Sequence, residues 1–137
     1  MANIDQAEAI LLLKALLSNT AYTVPGAQYA AIDTSTTAPT STSFGSEASG
    51  GGYARAALSV TAAAAGSGGN AGLAYSPSSG ALNYTNMPAG TFSSIEVFNA
   101  ATGTTRRLLF GALASSKTLA AGDTLSIAAG QLTATLG

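Results

Sequence analysis

The chain of 137 residues contains no cysteine, no histidine and no tryptophan. Without cysteine there is no disulfide and no thiol nucleophile. Without cysteine and histidine, the usual zinc and iron ligand sets and the serine–histidine–aspartate triad cannot be built. We therefore expect no bound metal, no cofactor and no enzyme of these types.

Charge is also scarce, because charged residues make up 8% of the chain, against roughly 25% in ordinary soluble domains. The five lysines and arginines against six acidic residues give a net charge of −1. No basic stripe is present, so nucleic acid is not an expected partner. A weakly charged surface gives little repulsion between copies, which suits a densely packed assembly.

Long apolar runs are missing too. The longest, Ala9–Leu17, is interrupted by Lys14 and is far shorter than the roughly 20 residues that span a bilayer. The residues before it include Asp5 and Glu8 but no lysine or arginine, the opposite of a secretory signal. We expect neither a membrane partner nor export, and we interpret the run as part of the fold.

Two patterns that could mark a catalytic or nucleotide site are weak. The six acids are scattered along the sequence, so a hydrolase that uses a carboxylate pair is the least favoured function. The segment Gly66–Ala71 matches G-x-G-x-x-A, but the residues after it are not typical of the helix that a dinucleotide site requires. We interpret this segment as an interstrand loop.

Ahead of Pro25 the residue spacing predicts one helix, Ile4–Leu17, with Asn3 as its N-cap and Gln6 in capping-box spacing. The acidic residues of its first turns suit the positive end of the helix dipole.

The predicted helix has an unusually wide apolar arc. Ile10, Leu13 and Leu17 form one stripe, and Leu12 and Leu16 form a second stripe beside it. A single sheet can hardly cover both, so we expect one stripe to face the rest of the domain and the other to contact a partner. The alternative is a helix that is ordinary intramolecular core.

After Pro25 the apolar period changes to two, which predicts a mainly β fold: an antiparallel β-sandwich of about seven strands preceded by the N-terminal helix. Residues 1–24 would form the helix and connector and residues 25–137 the sandwich, with a Thr/Ser-rich loop or arm at 34–49. The predicted strands are Gln28–Asp33, Tyr53–Thr61, Ala81–Met87, Phe92–Asn99, Arg106–Leu113, Thr124–Ala128 and Gln131–Leu136.

Arg55, Arg106 and Arg107 are the notable cations. Arginine is enriched in protein interfaces, so these residues are candidates for salt bridges to another subunit. The competing interpretation is a solvated position on a strand.

Several motifs occur in an ordered series: Tyr29–Asp33, a T-x-P-T loop at Thr37–Thr40, E-x-S-G-G-x-Y-A-R at Glu47–Arg55, and G-D-T-L followed by A-G-x-L within Lys117–Leu132. In order and spacing the chain resembles a family of small structural proteins of tailed-phage virions. The resemblance covers nearly the whole chain. Members are described as head decoration, minor capsid or tail-fibre-associated proteins and often have more aromatic central strands, including tryptophan.

This resemblance implies a virion component, assembled in the host cytoplasm, that binds the major capsid protein or other virion subunits. We expect a capsid decoration or cement protein that forms a trimer or dimer. A tail or tail-fibre-base subunit is the alternative within this class. A host-receptor or carbohydrate-binding module is an alternative from another class, and it would need an exposed aromatic cluster from Tyr53, Tyr75, Tyr84, Phe92 and Phe98.

Overall fold

The computed structural model describes residues 3–104 and 106–136. Within them the protein is mainly β-structure with a helix, α1, at Gln6–Leu17 and a short 3-10 turn at Gly68–Asn70. No helix in this part of the chain has the length and hydrophobicity needed to cross a lipid bilayer. The strands are β1 (Asn3–Ile4), β2 (Tyr29–Thr34), β3 (Ser46–Glu47), β4 (Ala56–Ala57), β5 (Ala64–Ala65), β6 (Ala74–Pro77), β7 (Leu82–Tyr84), β8 (Gly90–Phe98), β9 (Arg107–Leu119), β10 (Leu125–Ile127) and β11 (Thr133–Leu136).

The strands form three antiparallel sheets. The main sheet has the order β1-β9-β8-β2-β3, and β4 also pairs with β2. Two smaller sheets have the orders β10-β7 and β11-β6-β5. The main sheet packs on the β10-β7 pair, where the Tyr84 hydroxyl donates a hydrogen bond to the carbonyl of Ala30 at 3.0 Å. The predicted mainly β, antiparallel, sandwich-like fold with one N-terminal helix is confirmed.

The two faces of the main sheet differ in chemistry. Ile32 of β2 pairs with Ile95 of β8, and both belong with Val97 to the apolar core. Alternation along the strands turns Asp33 and Glu96 to the other face, yet both are buried as well. The sheet therefore has an apolar face against the smaller sheets and a covered polar face, which we call the polar face.

The alternation of β8 is interrupted at Phe92. A strict period of two would place Phe92 on the same face as Ser94, Glu96 and Phe98, but the pairing of β8 with β9 shifts register between Phe92 and Ser94. Phe92 consequently belongs to the apolar core cluster, while Phe98 does not. An irregularity of this kind changes which side chains share a face, and the sequence period does not reveal it.

The number of strands also differs from the prediction. The short strands β1, β3, β5 and β6 were not predicted, and within the expected strand Tyr53–Thr61 the structure has only β4. A strand of two residues is too short to show an alternating pattern, and β6 lies in a segment rich in glycine and serine. β1 and β6 are formed by pairing with the distant strands β9 and β11, whereas β3 and β5 pair with strands nearby in the sequence.

The N-cap of α1 is Asp5 rather than Asn3. The Asp5 carboxylate accepts a hydrogen bond from the backbone N–H of Ala7 at 2.9 Å, which satisfies one free donor of the first turn. Asn3 instead belongs to β1 and pairs with Phe110 of β9. Asn3 and Ile4 are thus attached to the main sheet immediately before the helix begins.

The turn at Gly50–Gly52 lies close to the backbone at Asn86, and substitution of Gly51 measures how close the two segments are. Gly51 has φ +60°, and a Cβ there would lie 2.4 Å from the backbone oxygen of Asn86, whereas at Gly50 (φ +93°) a Cβ would meet nothing within 4 Å. We predict that Gly50→Ala costs about 1–2 kcal/mol through backbone strain alone and that Gly51→Ala costs clearly more. Urea unfolding of both variants measures the difference, and equal losses would contradict the close approach.

Candidate functional site

The helix α1 has its charged side buried and much of its apolar side exposed. Glu8 is 4% exposed, and the N-cap Asp5 is buried as well. In contrast, five large apolar residues of the helix are exposed to solvent: Ile10 46%, Leu11 41%, Leu13 55%, Leu16 78% and Leu17 77%. We call the four most exposed of these, Ile10, Leu13, Leu16 and Leu17, the leucine face. Such an arrangement reverses the usual amphipathic packing of a surface helix.

Leu12 is the half-buried leucine of the helix. It lines a small cavity of about 240 Å³ with Leu108 and Leu109 of β9. Leu16, which shares its stripe, is exposed. The expectation that one whole stripe faces the domain is therefore wrong, because buried Glu8 sets the rotation of the helix and brings only one leucine of that stripe to the sheet.

Arg106 holds Glu8 in a forked ion pair. Its Nε donates to one carboxylate oxygen at 2.8 Å and its Nη2 to the other at 2.9 Å, while Nη1 donates to the carbonyl of Thr23 at 2.9 Å. The hydroxyl of Tyr22 also donates to Glu8, and burial together with this carboxylate raises the pKa of Tyr22. Glu8 thus connects the helix and its connector to Arg106, the residue directly before β9.

Among the described residues, Arg107 has the side chain that donates the most hydrogen bonds. Its buried guanidinium donates to Asp5 at 2.8 Å and to the carboxylate of Glu96 on β8. It also donates to the carbonyl of Ser43 at 2.7 Å and to that of Thr40. One side chain therefore connects the start of the helix, the centre of the main sheet and the loop after β2. We call these contacts the Arg107 cluster.

Arg55 forms a third ion pair, inside the E-x-S-G-G-x-Y-A-R motif. Its guanidinium donates to both oxygens of Glu47, at 2.8 and 2.7 Å, and the hydroxyl of Tyr53 donates to the same carboxylate at 3.0 Å. Its remaining nitrogen donates to the carbonyl of Ala100, and the guanidinium lies 3.9 Å from the ring centre of Phe98. Glu47, Tyr53 and Arg55 of the motif thus form one network, and their short spacing in the sequence was a signal for it.

All three arginines that the sequence marks as interface candidates are paired with acids of the same chain. Sequence reasoning missed the partners of Arg106 and Arg107 because Glu8 and Asp5 precede them by 98 and 102 residues. A role for these arginines at a subunit interface stays a prediction.

The segment 34–49 lies against the polar face. The backbone N–H of Gln6 donates to the carbonyl of Ser41 at 3.1 Å, and the ring of Phe44 lies 5.8 Å from that of Phe98. The carbonyls of Thr40 and Ser43 also accept hydrogen bonds from Arg107. Together, these contacts hold the segment over the polar face and cover it.

Two acids on the polar face come close together, although the sequence separates them. Among the described residues, neither oxygen of Asp33 has a hydrogen-bond partner. Burial raises the pKa of Asp33 to about 7, with further contributions from Glu96 and Glu47. Asp33 is completely buried and Glu96 is 1% exposed, and neither lines a described cavity. The pair is thus out of reach of a substrate.

Three of the five aromatic residues that the sequence offers for a sugar-binding cluster are buried. Tyr84, Phe92 and Phe98 are buried in the interior. The larger cleft, about 560 Å³, is lined by aliphatic residues such as Leu125 and Ile127, and none of the described residues that line it is aromatic. A carbohydrate-binding module would need these five residues to form an exposed aromatic cluster, and as a set they do not.

We predict that Arg107→Met destabilises the protein more than Arg106→Met. Removing the buried Arg107 leaves Asp5 and Glu96 without their cation, a loss of about 3–5 kcal/mol for a buried pair. The side chain of Arg106 is 23% exposed, so water partly replaces its contacts and the loss is smaller. Urea unfolding at neutral pH measures both values, and equal losses would show that the Arg107 cluster has no special weight.

Asp33 also makes stability depend on pH. Its pKa is about 7 in the folded protein against 3.8 for an ordinary aspartate, so the folded state binds more protons than the unfolded state between these values. The free energy of unfolding therefore falls as pH rises from about 4 to 7. We predict that Asp33→Asn reduces the drop in melting temperature between pH 5 and pH 8, whereas the control Asp123→Asn, at an exposed turn, retains it. An unchanged drop in Asp33→Asn would contradict the shift.

Comparison with known proteins identifies the chain's family. No curated protein matches the chain. The family model described as podophage GP4 fiber I protein gp80 matches residues 4–135, a range that includes the helix, the main sheet and the Arg107 cluster. This match agrees with the expectation of a structural family of tailed phages. It does not support the narrower expectation of capsid decoration. The chain belongs to the podophage GP4 fiber I protein gp80 family.

Proposed function

We propose that this protein is a non-enzymatic structural subunit of a phage tail fibre and that the leucine face of α1 fixes it to another virion subunit. The family of phage fibre proteins supports a structural role in the virion. Between the two positions considered from the sequence, the family description favours the tail fibre over capsid decoration.

The exposed leucine face is the observation that carries this proposal. Exposed apolar patches of this kind mark contact surfaces, and burying one leucine fully contributes about 1.5–3 kcal/mol. The four side chains of the leucine face follow one another along the outer side of a single helix. A partner that covers them gains a hydrophobic contact that the domain itself does not use.

The internal pairing of charge supports an apolar contact rather than an ionic one. Arg55, Arg106 and Arg107 all use their guanidinium groups within the chain, so they contribute little to a complementary charged surface. The buried acids of the polar face have no access to a substrate, which supports a non-enzymatic role.

The proposal predicts the position of the protein on particles. Virions assembled in host cells with an epitope-tagged chain should carry gold label on the tail fibres. The variant Leu13→Asp/Leu17→Asp should fold with an unchanged melting temperature, since both side chains are exposed, and should be lost from particles by at least tenfold. The control Val60→Asp changes an exposed apolar residue outside the helix and should be incorporated like the wild type.

Electron micrographs of the labelled virions distinguish the other possible outcomes. Label spread over the shell would overturn the fibre assignment in favour of capsid decoration. Absence of label from complete virions would refute a structural role altogether. Normal incorporation of Leu13→Asp/Leu17→Asp would overturn the assignment of the leucine face as the contact surface.

A further inference from the structure

The larger cleft of the protein lies where the edges of three strands meet. It has a volume of about 560 Å³ and is lined by the second half of β9, by β10 and by the start of β11. In the part of the chain that the structure describes, β9 pairs with β8 and, over its first half, with β1, whereas β10 pairs with β7 and β11 with β6. Within these residues, each of the three strands therefore has an open edge at the cleft.

The middle of β9 also leaves its neighbour on the other side. Ala112 pairs with Ser94 of β8, and the next paired residue of β9 is Lys117, opposite Phe92. The intervening residues 113–116 form a bulge, and 114–116 are exposed. A bulge leaves backbone N–H and C=O groups without partners in the ladder, and an exposed strand edge of this kind is a template for a further strand.

The side chains of the cleft select an apolar occupant with one negative charge. Leu113, Leu125, Ile127 and Leu132 line it, and all four are partly or fully buried. Lys117 is the one charged residue among the described lining residues, and the ion pairs found in residues 3–104 and 106–136 do not include it. A carboxylate on the occupant would complement this lysine.

The open backbone favours an extended peptide over a small apolar molecule. A small molecule fills the volume but leaves the backbone groups of 113–116 to water. An extended peptide pairs with them and places alternate side chains in the cleft. A second copy that docks by the same edge brings a second Lys117 to it, and like charges across an interface oppose binding. The occupant therefore comes from a different protein.

From these observations we infer that β9 accepts an added strand. An extended segment of another virion subunit, apolar at alternate positions and with a carboxylate beside Lys117, pairs with residues 113–117 and fills the cleft. This contact shares no residue with the leucine face. The virion origin of the segment rests on the proposed function, whereas the peptide-binding edge does not.

Binding of a synthetic peptide to the purified full chain tests the inference. The probe is a short fluorescein-labelled peptide of alternating valine and threonine with a central glutamate, and fluorescence anisotropy at low salt measures its dissociation constant. Lys117→Glu should weaken binding about fivefold or more, because an attraction between exposed charges becomes a repulsion. A probe with lysine in place of glutamate should restore binding. The matched control Lys14→Glu changes the other lysine of the chain and should bind like the wild type.

A blocking variant shows where the probe binds. Ala114 lines the cleft and is exposed, so Ala114→Trp should keep the melting temperature of the wild type and weaken binding at least about tenfold by filling the cleft. Ala120 is exposed as well and is not among the described lining residues, so Ala120→Trp should bind normally. Equal binding by these two variants would overturn the cleft as the site.

N-methylated probes separate strand addition from simple filling of the cleft. A peptide methylated at every second backbone nitrogen lacks the donors of one of its edges, so two such peptides remove each edge in turn. At least one of them should bind about tenfold more weakly, since several hydrogen bonds are lost. Undiminished binding of both would overturn strand addition and make the cleft a site for an apolar ligand.

The remaining outcomes separate this inference from the proposed function. Absence of saturable binding by the glutamate and lysine probes overturns the peptide-binding edge and leaves the fibre assignment untouched, because that assignment is measured on virions. Release of bound probe as the concentration of the chain rises would show that a second copy occupies the cleft and would overturn the foreign partner. Binding that depends on Lys117, in a chain that is absent from virions, would support the edge and refute the virion origin of its partner together with the proposed function.

Discussion

The buried guanidinium of Arg107 is the constraint on which the polar half of this structure depends. A cation in the interior is tolerated only when its donors are satisfied and its charge is neutralised. Asp5, Glu96 and two loop carbonyls meet that requirement. Because these groups come from the start of the helix, the main sheet and the segment 34–49, satisfying one side chain fixes the relative position of all three.

The same requirement explains why the helix exposes its leucines. A carboxylate buried without a partner costs several kcal/mol, comparable with exposing about two leucines at 1.5–3 kcal/mol each. Asp5 and Glu8 both obtain arginine partners only when the helix turns its charged side inward. Electrostatics therefore set the rotation of α1, and its apolar side stays exposed.

The sequence predicts those parts of the fold in which apolar residues recur at a regular spacing. The apolar spacing of α1 and the alternation in β2 and β8 are periodic, so the helix and the central strands were predicted correctly. A two-residue strand such as β1 is too short to show an apolar period. The register shift at Phe92 interrupts the period of β8. The ion pair between Glu8 and Arg106 joins residues 98 positions apart and leaves no local pattern. Glu47, Tyr53 and Arg55 lie close in sequence, and their network could have been proposed from the motif.

The distance along the chain between Asp5 and Arg107, 102 residues, has a consequence for the timing of biogenesis. Proteins emerge from the ribosome N-terminus first, so α1 is synthesised long before the arginine that anchors it. Until β9 is translated, neither Asp5 nor Glu8 has its cation, and the helix has no fixed orientation. The surface that presents the leucines is therefore completed late, only after β9 has been synthesised.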